Sequence, residues 1–276
     1  MRVTVGVERH TNRVLVPFHL IGGRVLLRYL IILFVIGPLL ATGARAGAYT
    51  ENEAPTLRIA QVIEVTDGST IYAEPVWSPD GSKLAFSLKP QFGGLYIRNA
   101  DGSGPIQEIT SEDIDSYRYW RERPSPLGVR LEKDFKNQRM WIVEGDGTKR
   151  SEFPYKARLA SLSPTRDLVA FMRSDGNLCV SDLDGSSPRA FGYGVSWDWS
   201  PDGSRLVYVG NIRDGEGAMI AADLFLADVK TGEVTQLTDT RDVVEVSPRW
   251  SPDGMRIAYS TDRLGKICVA ILGEVK

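Results

Sequence analysis

The chain has 276 residues, 42% hydrophobic and 25% charged, a composition that supports a sizeable core and excludes intrinsic disorder. Of its 33 Lys+Arg and 35 Asp+Glu, six Arg and one Glu fall in residues 1–46; the remainder carries 27 against 34, a net of −7, which excludes non-specific nucleic-acid binding. Both histidines, His10 and His19, also lie in that first segment, so its removal leaves no His for a Ser-His-Asp triad, a general base or a metal site.

In chain order, the first element is a targeting segment. Residues 29–44 carry no charge, Arg24 and Arg28 precede them, and Ala44-Arg45-Ala46 follows with the small-x-small form of a cleavage site. Positive, then apolar, then small is the order of a secretory signal. Sixteen uncharged residues are short for a span of about 20, and Pro38 would break a helix. Residues 1–46 are therefore expected to be a signal peptide cleaved before Gly47, with an uncleaved membrane anchor as the alternative. Residues 47–56 read as a linker, and 57–276 as the domain.

That domain opens with a β-rich run, Leu57–Ile63, which belongs to no following unit. Then a phrase recurs: Trp77-Ser78-Pro79-Asp80-Gly81, Trp199-Ser200-Pro201-Asp202-Gly203 and Trp250-Ser251-Pro252-Asp253-Gly254. Leu162-Ser163-Pro164-Thr165 is a worn copy and Pro124-Ser125-Pro126-Leu127 a fainter one. Prolines at 79, 126, 164, 201 and 252 are spaced by 37 to 51 residues, the period of a propeller blade. Ser-Pro-Asp-Gly is a type I turn: an acceptor side chain, a preset φ, Asp, and a Gly free to turn left-handed. Each copy leads into a short apolar strand, such as Leu84-Ala85-Phe86 or Leu206-Val207-Tyr208. A third strand aligns in all five units: Leu95–Arg98, Met140–Val143, Leu178–Ser181, Leu224–Ala227 and Ile267–Ala270. Turns such as Asp101-Gly102, Asp146-Gly147 and Asp184-Gly185 follow the first three, and fourth strands show at 106–110 and 234–238.

Four strands, five times, predicts an all-β fold, a five-bladed β-propeller. The last unit lacks a fourth strand, and the spare Leu57–Ile63 run is expected to supply it and close the ring. The alternatives are an open arc or a fragment of a six-bladed ring. Cys179 and Cys268 occupy the same third-strand slot, in units three and five. Two equivalent sites so far apart cannot approach within the roughly 7 Å between Cα atoms that a disulfide needs. Both are expected to be free, buried thiols.

The Trp-Ser-Pro-Asp-Gly phrase followed by Leu-Ala-Phe resembles the TolB-type, or WD-repeat-like, β-propeller repeat. The resemblance runs over roughly residues 55–276, strongest in units one, four and five. It implies the fold and is almost silent on function. TolB has six blades and a preceding α/β domain. Residues 47–71 leave no room for such a domain, so a Tol-Pal role is not expected. The same repeat precedes the hydrolase domain of prolyl-oligopeptidase-like enzymes, but no Gly-x-Ser-x-Gly elbow occurs here. It also resembles the propeller of oligogalacturonate lyases, whose metal is held largely by His.

Candidate chemistry divides into turns, pore and loops. Asp80, Asp202 and Asp253 are explained by their turns, as are Asp101, Asp146 and Asp184, which lack the alternating acids of a calcium loop. Trp77, Pro79, Gly81, Trp199, Pro201, Gly203, Trp250, Pro252 and Gly254 read as structural. Glu74, Asp115, Asp198 and Glu245 lie in or near innermost strands, where a carboxylate pair could serve a polysaccharide hydrolase or lyase. Longer connections, 111–121, 210–222 and 239–242, share one face. On them Tyr117, Tyr119, Trp120, Arg121, Arg213 and Arg241 are the contact types enriched at interfaces. The reading is an exported, non-enzymatic propeller, periplasmic or extracellular, or else anchored in the inner membrane by its first segment. It needs no cofactor or metal, binds no nucleic acid, and binds an envelope or secreted protein as a scaffold module. The rival is the pore-carboxylate enzyme.

Overall fold

Strand formation follows the β-rich runs and the turn residues between them. The computed structural model describes residues 56–274 other than 90–93, 111–127, 135, 138, 146, 158, 214–218, 241–242 and 263–264, with side chains of 211–221 left aside. Among the described residues there are nineteen strands and no helix, so none is long and apolar enough to cross a membrane. The 29–44 segment and the cleavage site lie outside the described residues.

The first strand is β1 (Leu57–Glu64). Sheet one holds β2 (Tyr72–Trp77), β3 (Lys83–Leu88), β4 (Leu95–Asn99) and β5 (Gln107–Glu108), antiparallel in that order. Sheet two has three strands, β6 (Arg130–Asp134), β7 (Arg139–Glu144) and β8 (Lys149–Glu152). These match the second, third and fourth strands of the other units; the stretch expected to hold the first lies outside the described residues. Sheet three holds β9 (Ala160–Leu162), β10 (Leu168–Met172), β11 (Asn177–Asp182) and β12 (Arg189–Tyr193). Sheet four holds β13 (Val195–Trp199), β14 (Arg205–Arg213), β15 (Met219–Asp228) and β16 (Val234–Gln236).

Sheet five is built from both ends of the domain. Its order is β1, then β19 (Ile267–Glu274), β18 (Arg256–Thr261) and β17 (Glu245–Trp250). Pairing of β1 with β19 runs from Leu57↔Glu274 to Glu64↔Cys268, with one irregularity between Ile59 and Gln61. The spare strand thus takes the fourth place that the last unit lacks.

Burial explains why the middle strands are almost continuously apolar. β3 reads Lys-Leu-Ala-Phe-Ser-Leu with its central four residues buried: Leu84 and Phe86 pack toward sheet five, and Ala85 packs with Val76, Leu95 and Ile109 on the other face. The outer strands β5 and β8 are exposed throughout. Four apolar clusters lie between consecutive sheets: Met140, Ile142 and Phe171 join two to three; Leu178, Phe191 and Tyr208 join three to four. Leu224, Trp250 and Leu57 join four to five, and Phe86, Ala258 and Val269 join five to one. On sheet one's other side lies a smaller cluster of Val76 and Ala85 with Leu95 and Ile109.

The recurring turns stack in the same rotational sense. A Cβ placed on Gly203 would lie 3.7 Å from Pro164, one on Gly254 3.7 Å from Pro201, and one on Gly81 3.5 Å from Pro252. Gly81, Gly203 and Gly254 hold φ of +68°, +73° and +73°, the left-handed region that Gly enters without a Cβ clash. The unit-five turn therefore meets the unit-one turn as four meets five and three meets four. The worn copy keeps the geometry with other residues. Arg166 takes the glycine place at φ +62°, and Asp167, two positions on from Thr165, accepts from Ser163 at 2.9 Å.

Third-strand registers confirm the alignment of units. Phe86 pairs with Tyr96, Phe171 with Cys179, Tyr208 with Phe225 and Tyr259 with Cys268. Cys179 and Cys268 are free and buried in different sheets, and burial pushes the Cys268 thiol up to about 11. Thiol titration of the oxidised protein should therefore find no reactive Cys when native and both when denatured without reductant. Two thiols appearing only after reduction would break the register.

Candidate functional site

The sheets have two ends. At one end lie the turns between first and second strands, and each is a closed hydrogen-bond unit. Ser78 Oγ donates to Asp80 Oδ1 at 2.6 Å, Ser82 N donates to the same oxygen at 3.0 Å, and Ser78 Oγ accepts from Lys83 N at 2.9 Å. Ser200, Asp202 and Ser204 repeat the set, as do Ser251, Asp253 and Met255. The Ser78 and Ser82 donors hold the Asp80 carboxyl down to about 2. These aspartates are turn residues. Asp101 and Asp184 likewise bind the backbone two residues on, at Ser103 and Ser186; Asp146 lies outside the described residues.

The tryptophans sit between sheets. Trp77, Trp199 and Trp250 are 3%, 4% and 1% exposed. Trp77 Nε1 donates to the Arg249 carbonyl oxygen at 3.0 Å, and Trp199 Nε1 to Ser161 Oγ at 3.1 Å. Each reaches the first strand of the preceding sheet, which is packing and not ligand stacking.

Three positions before each of these tryptophans the strand bulges. Glu74, Ser196 and Ser247 have φ of 55°, 49° and 55° at register shifts in β2, β13 and β17. A left-handed non-Gly residue in three equivalent places is a built feature of the repeat. Glu74, one of the pore carboxylates expected from sequence, is therefore a bulge residue. Asp198 Oδ2 accepts from Trp250 N at 2.8 Å, a bond between sheets four and five. Glu245 is buried at the start of β17, and Asp115 lies outside the described residues. Asp198 and Glu245 thus each join a hydrogen-bond network. Among the described residues no group of three His, Cys, Asp or Glu side chains is placed to hold a metal.

At the opposite end lie the connections that enter each first strand. Exposed apolar side chains stand at that end of three sheets: Ile71 (45%) before β2, Leu159 (45%) before β9 and Tyr193 (37%), the last residue of β12. Sequence reasoning missed them, because one apolar residue beside a strand reads as its first core position. The 210–222 stretch, expected as a loop, is mostly strand. β14 continues to Arg213 and β15 resumes at Met219, with Ile212 paired to Ala221 and Arg213 to Met219. The β-prone run around Ile212 and Ile220 extends the ladder, leaving Asp-Gly-Glu-Gly at 214–217 as the turn signal. Beyond Val209 and Leu224 this hairpin has no ladder partner in β13 or β16, and Ala222 instead bridges Val244. Arg213 is at its end. Arg241, Tyr117, Tyr119, Trp120 and Arg121 lie outside the described residues.

No protein-family model and no curated protein matches the sequence. Solved structures similar to it include the tricorn protease, at 15% identity and TM-score 0.39, matching 76% of this chain and 20% of that one. The acylaminoacyl peptidase of Pyrococcus horikoshii is similar at 22% and 0.35 over 48% of this chain and 25% of that one. TolB from Acinetobacter baumannii is similar at 12% and 0.33, over 77% of this chain and 57% of that one. The chain spans less than two thirds of the length of each. Likeness at this level leaves the functional reading to the residues themselves.

Proposed function

We propose that residues 57–274 form a closed five-bladed propeller that binds a protein partner on its loop face, in an exported protein of the cell envelope. The single observation carrying the binding is the exposed apolar set Ile71, Leu159 and Tyr193, each at the loop end of its sheet. Isolated large apolar groups are ordinary on a surface; several on one end, beside the lengthened β14–β15 ladder, fit a contact face. Ring closure is supported by the β1–β19 pairing and by the turn of unit five packing on that of unit one. Export is supported by the order of charge and apolarity in residues 1–46. Amino-terminal sequencing of the exported pool should find Gly47.

The binding test compares wild type with the triple variant Ile71→Asp, Leu159→Asp and Tyr193→Asp in cross-linking pull-downs from envelope extract. A partner should be captured by wild type, and by a control carrying Val234→Asp and Met255→Asp, exposed apolar residues away from that face. The triple variant should lose it while keeping its melting temperature. Capture indifferent to the triple change would overturn the reading. Polysaccharide cleavage abolished by Glu74→Gln would favour the enzyme instead.

A further inference from the structure

Two acids are shut away beneath the loop face. Asp223 on β15 is 0% exposed and Glu245, the first residue of β17, is 1% exposed. The chain from β16 into β17 bridges them. Thr240 Oγ1 stands 2.6 Å from Glu245 Oε1, 3.2 Å from Asp223 Oδ1 and 3.5 Å from the Val243 carbonyl oxygen. Thr240 N donates to Asp223 Oδ1 at 3.1 Å, and Gln236 Nε2 donates to Asp223 Oδ2 at 2.9 Å. Thr238 Oγ1 accepts from Leu224 N at 2.9 Å and donates to Glu245 Oε2 at 3.3 Å.

The proton count is the difficulty. Asp223 keeps the donors Thr240 N and Gln236 Nε2, and Glu245 keeps Thr238 Oγ1, but with both acids ionised two buried anions lie across the one Thr240 hydroxyl proton in a site closed to solvent. One further proton resolves the network: Glu245 Oε1 donates to Thr240 Oγ1, and Thr240 donates on to Asp223. We propose that Glu245 carries this proton while the 237–244 link is docked, and that its loss releases the link, making Asp223, Thr240 and Glu245 a pH-sensitive latch.

The surroundings set where the latch works. Burial, with the Asp223 carboxylate as a further cause, raises Glu245 to about 7 against the hydroxyls of Thr240 and Thr238. Facing it are Asp223 from β15, neutral Gln236 from β16, and Thr261 and Tyr259 from β18. Cys268 of β19 is a neutral thiol, its pKa raised by burial, and beyond it Lys266 pairs with Glu64 of β1 at 2.8 Å. Arg241 and Asp242 belong to the same link, outside the described residues. A folded value above the ordinary one stabilises the docked link fully below the unfolded carboxyl value of about 4.5 and is lost as pH rises through about 7. Release would loosen Thr238, Thr240 and Val244 from β15, at the base of the hairpin ending at Arg213 and so on the loop face. That effect on binding rests on the loop-face reading above, whereas the latch does not.

Hydrogen exchange of the full-length protein tests it without any partner. Rates corrected for intrinsic chemistry are compared at about pH 5.5 and about pH 8.5. Peptides covering 237–245 should exchange about tenfold faster at the higher pH, with β18 unchanged. Glu245→Gln, neutral at both values, should stay slow. Equal protection of the wild type, or the same step in Glu245→Gln, overturns the latch. If that variant does not fold, Asp223→Asn should move the midpoint to lower pH, and an unmoved midpoint overturns it equally. A wild-type step with partner capture indifferent to Ile71, Leu159 and Tyr193 would sink the loop-face reading alone.

Discussion

Deleting Leu57–Thr66 is expected to abolish the soluble folded monomer or to lower its melting temperature by more than about 10 °C. β1 pairs with β19 along almost its whole length, and the contact continues past its end. Val65 N donates to the Ile267 carbonyl oxygen at 2.8 Å, and Ile267 N donates to Thr66 Oγ1 at 2.8 Å. Val65 is 0% and Leu57 9% exposed, each in the cluster on one side of sheet five. Two such side chains contribute about 1.5–3 kcal/mol each, and the ladder bonds about 0.5–1.5 kcal/mol each. Together they approach the whole stability of a domain, about 5–15 kcal/mol. What remains is an open edge reading Ile-Cys-Val-Ala-Ile-Leu, a template for strand addition between molecules. A rearranged variant separates closure from generic damage. Leu57 pairs with Glu274, so a short turn after Lys276 leading into a transplanted copy of 57–66 should restore folding. A deletion variant that stays monomeric with an unchanged melting temperature would refute the closure proposed for β1.

The fold was largely legible because its determinants are local. A Ser-Pro-Asp-Gly turn closes within six residues, so Ser78, Asp80 and Ser82 announce themselves at fixed offsets. Strand registers follow from turn spacing, which is why Cys179 and Cys268 could be placed in equivalent slots. The role of β1 needed only a count of strands in the last unit. The loop face was less legible. The 210–222 stretch carries three glycines and reads as loop, yet Ile212 and Ala221 pair because the hairpin lengthens the ladder already formed by Tyr208 and Phe225. In sequence Asp223 is one acid in an apolar strand, and Glu245 is one acid at the start of an innermost strand. Their meeting depends on the 237–244 link folding back over β15, which no periodicity encodes. Asp198 shows the same limit: its partner is a backbone N–H 52 residues away.

Trp250→Ala is expected to cost about 3–5 kcal/mol, the range for removing a large aromatic from a core. Trp250 is the largest side chain in the fully buried set, 1% exposed, packed with Leu57, Val207, Leu224 and Ile257 between sheets four and five. In a domain of this size each kcal/mol moves the melting temperature by about 2–4 °C, so the variant should melt roughly 6–20 °C lower. The repeat predicts a similar loss at Trp77 and Trp199, which hold the same offset from their turns. A contrasting tryptophan provides the scale. Trp141 is only half-buried, with the Arg150 guanidinium 4.3 Å and the Arg139 guanidinium 5.5 Å from its ring centroid. Exposed cation–π contacts are worth about 0.5–1 kcal/mol, so Trp141→Ala should shift melting by only a few degrees. Calorimetry of the two variants therefore distinguishes packing from recognition. If Trp250 were a stacking platform for a ligand, Trp250→Ala would keep its melting temperature within about 2 °C and lose binding instead. A cavity between two sheets does the reverse. It removes contacts on both faces at once, and because the Trp250 N–H also anchors Asp198, slack in β17 spreads to the first strand of sheet four.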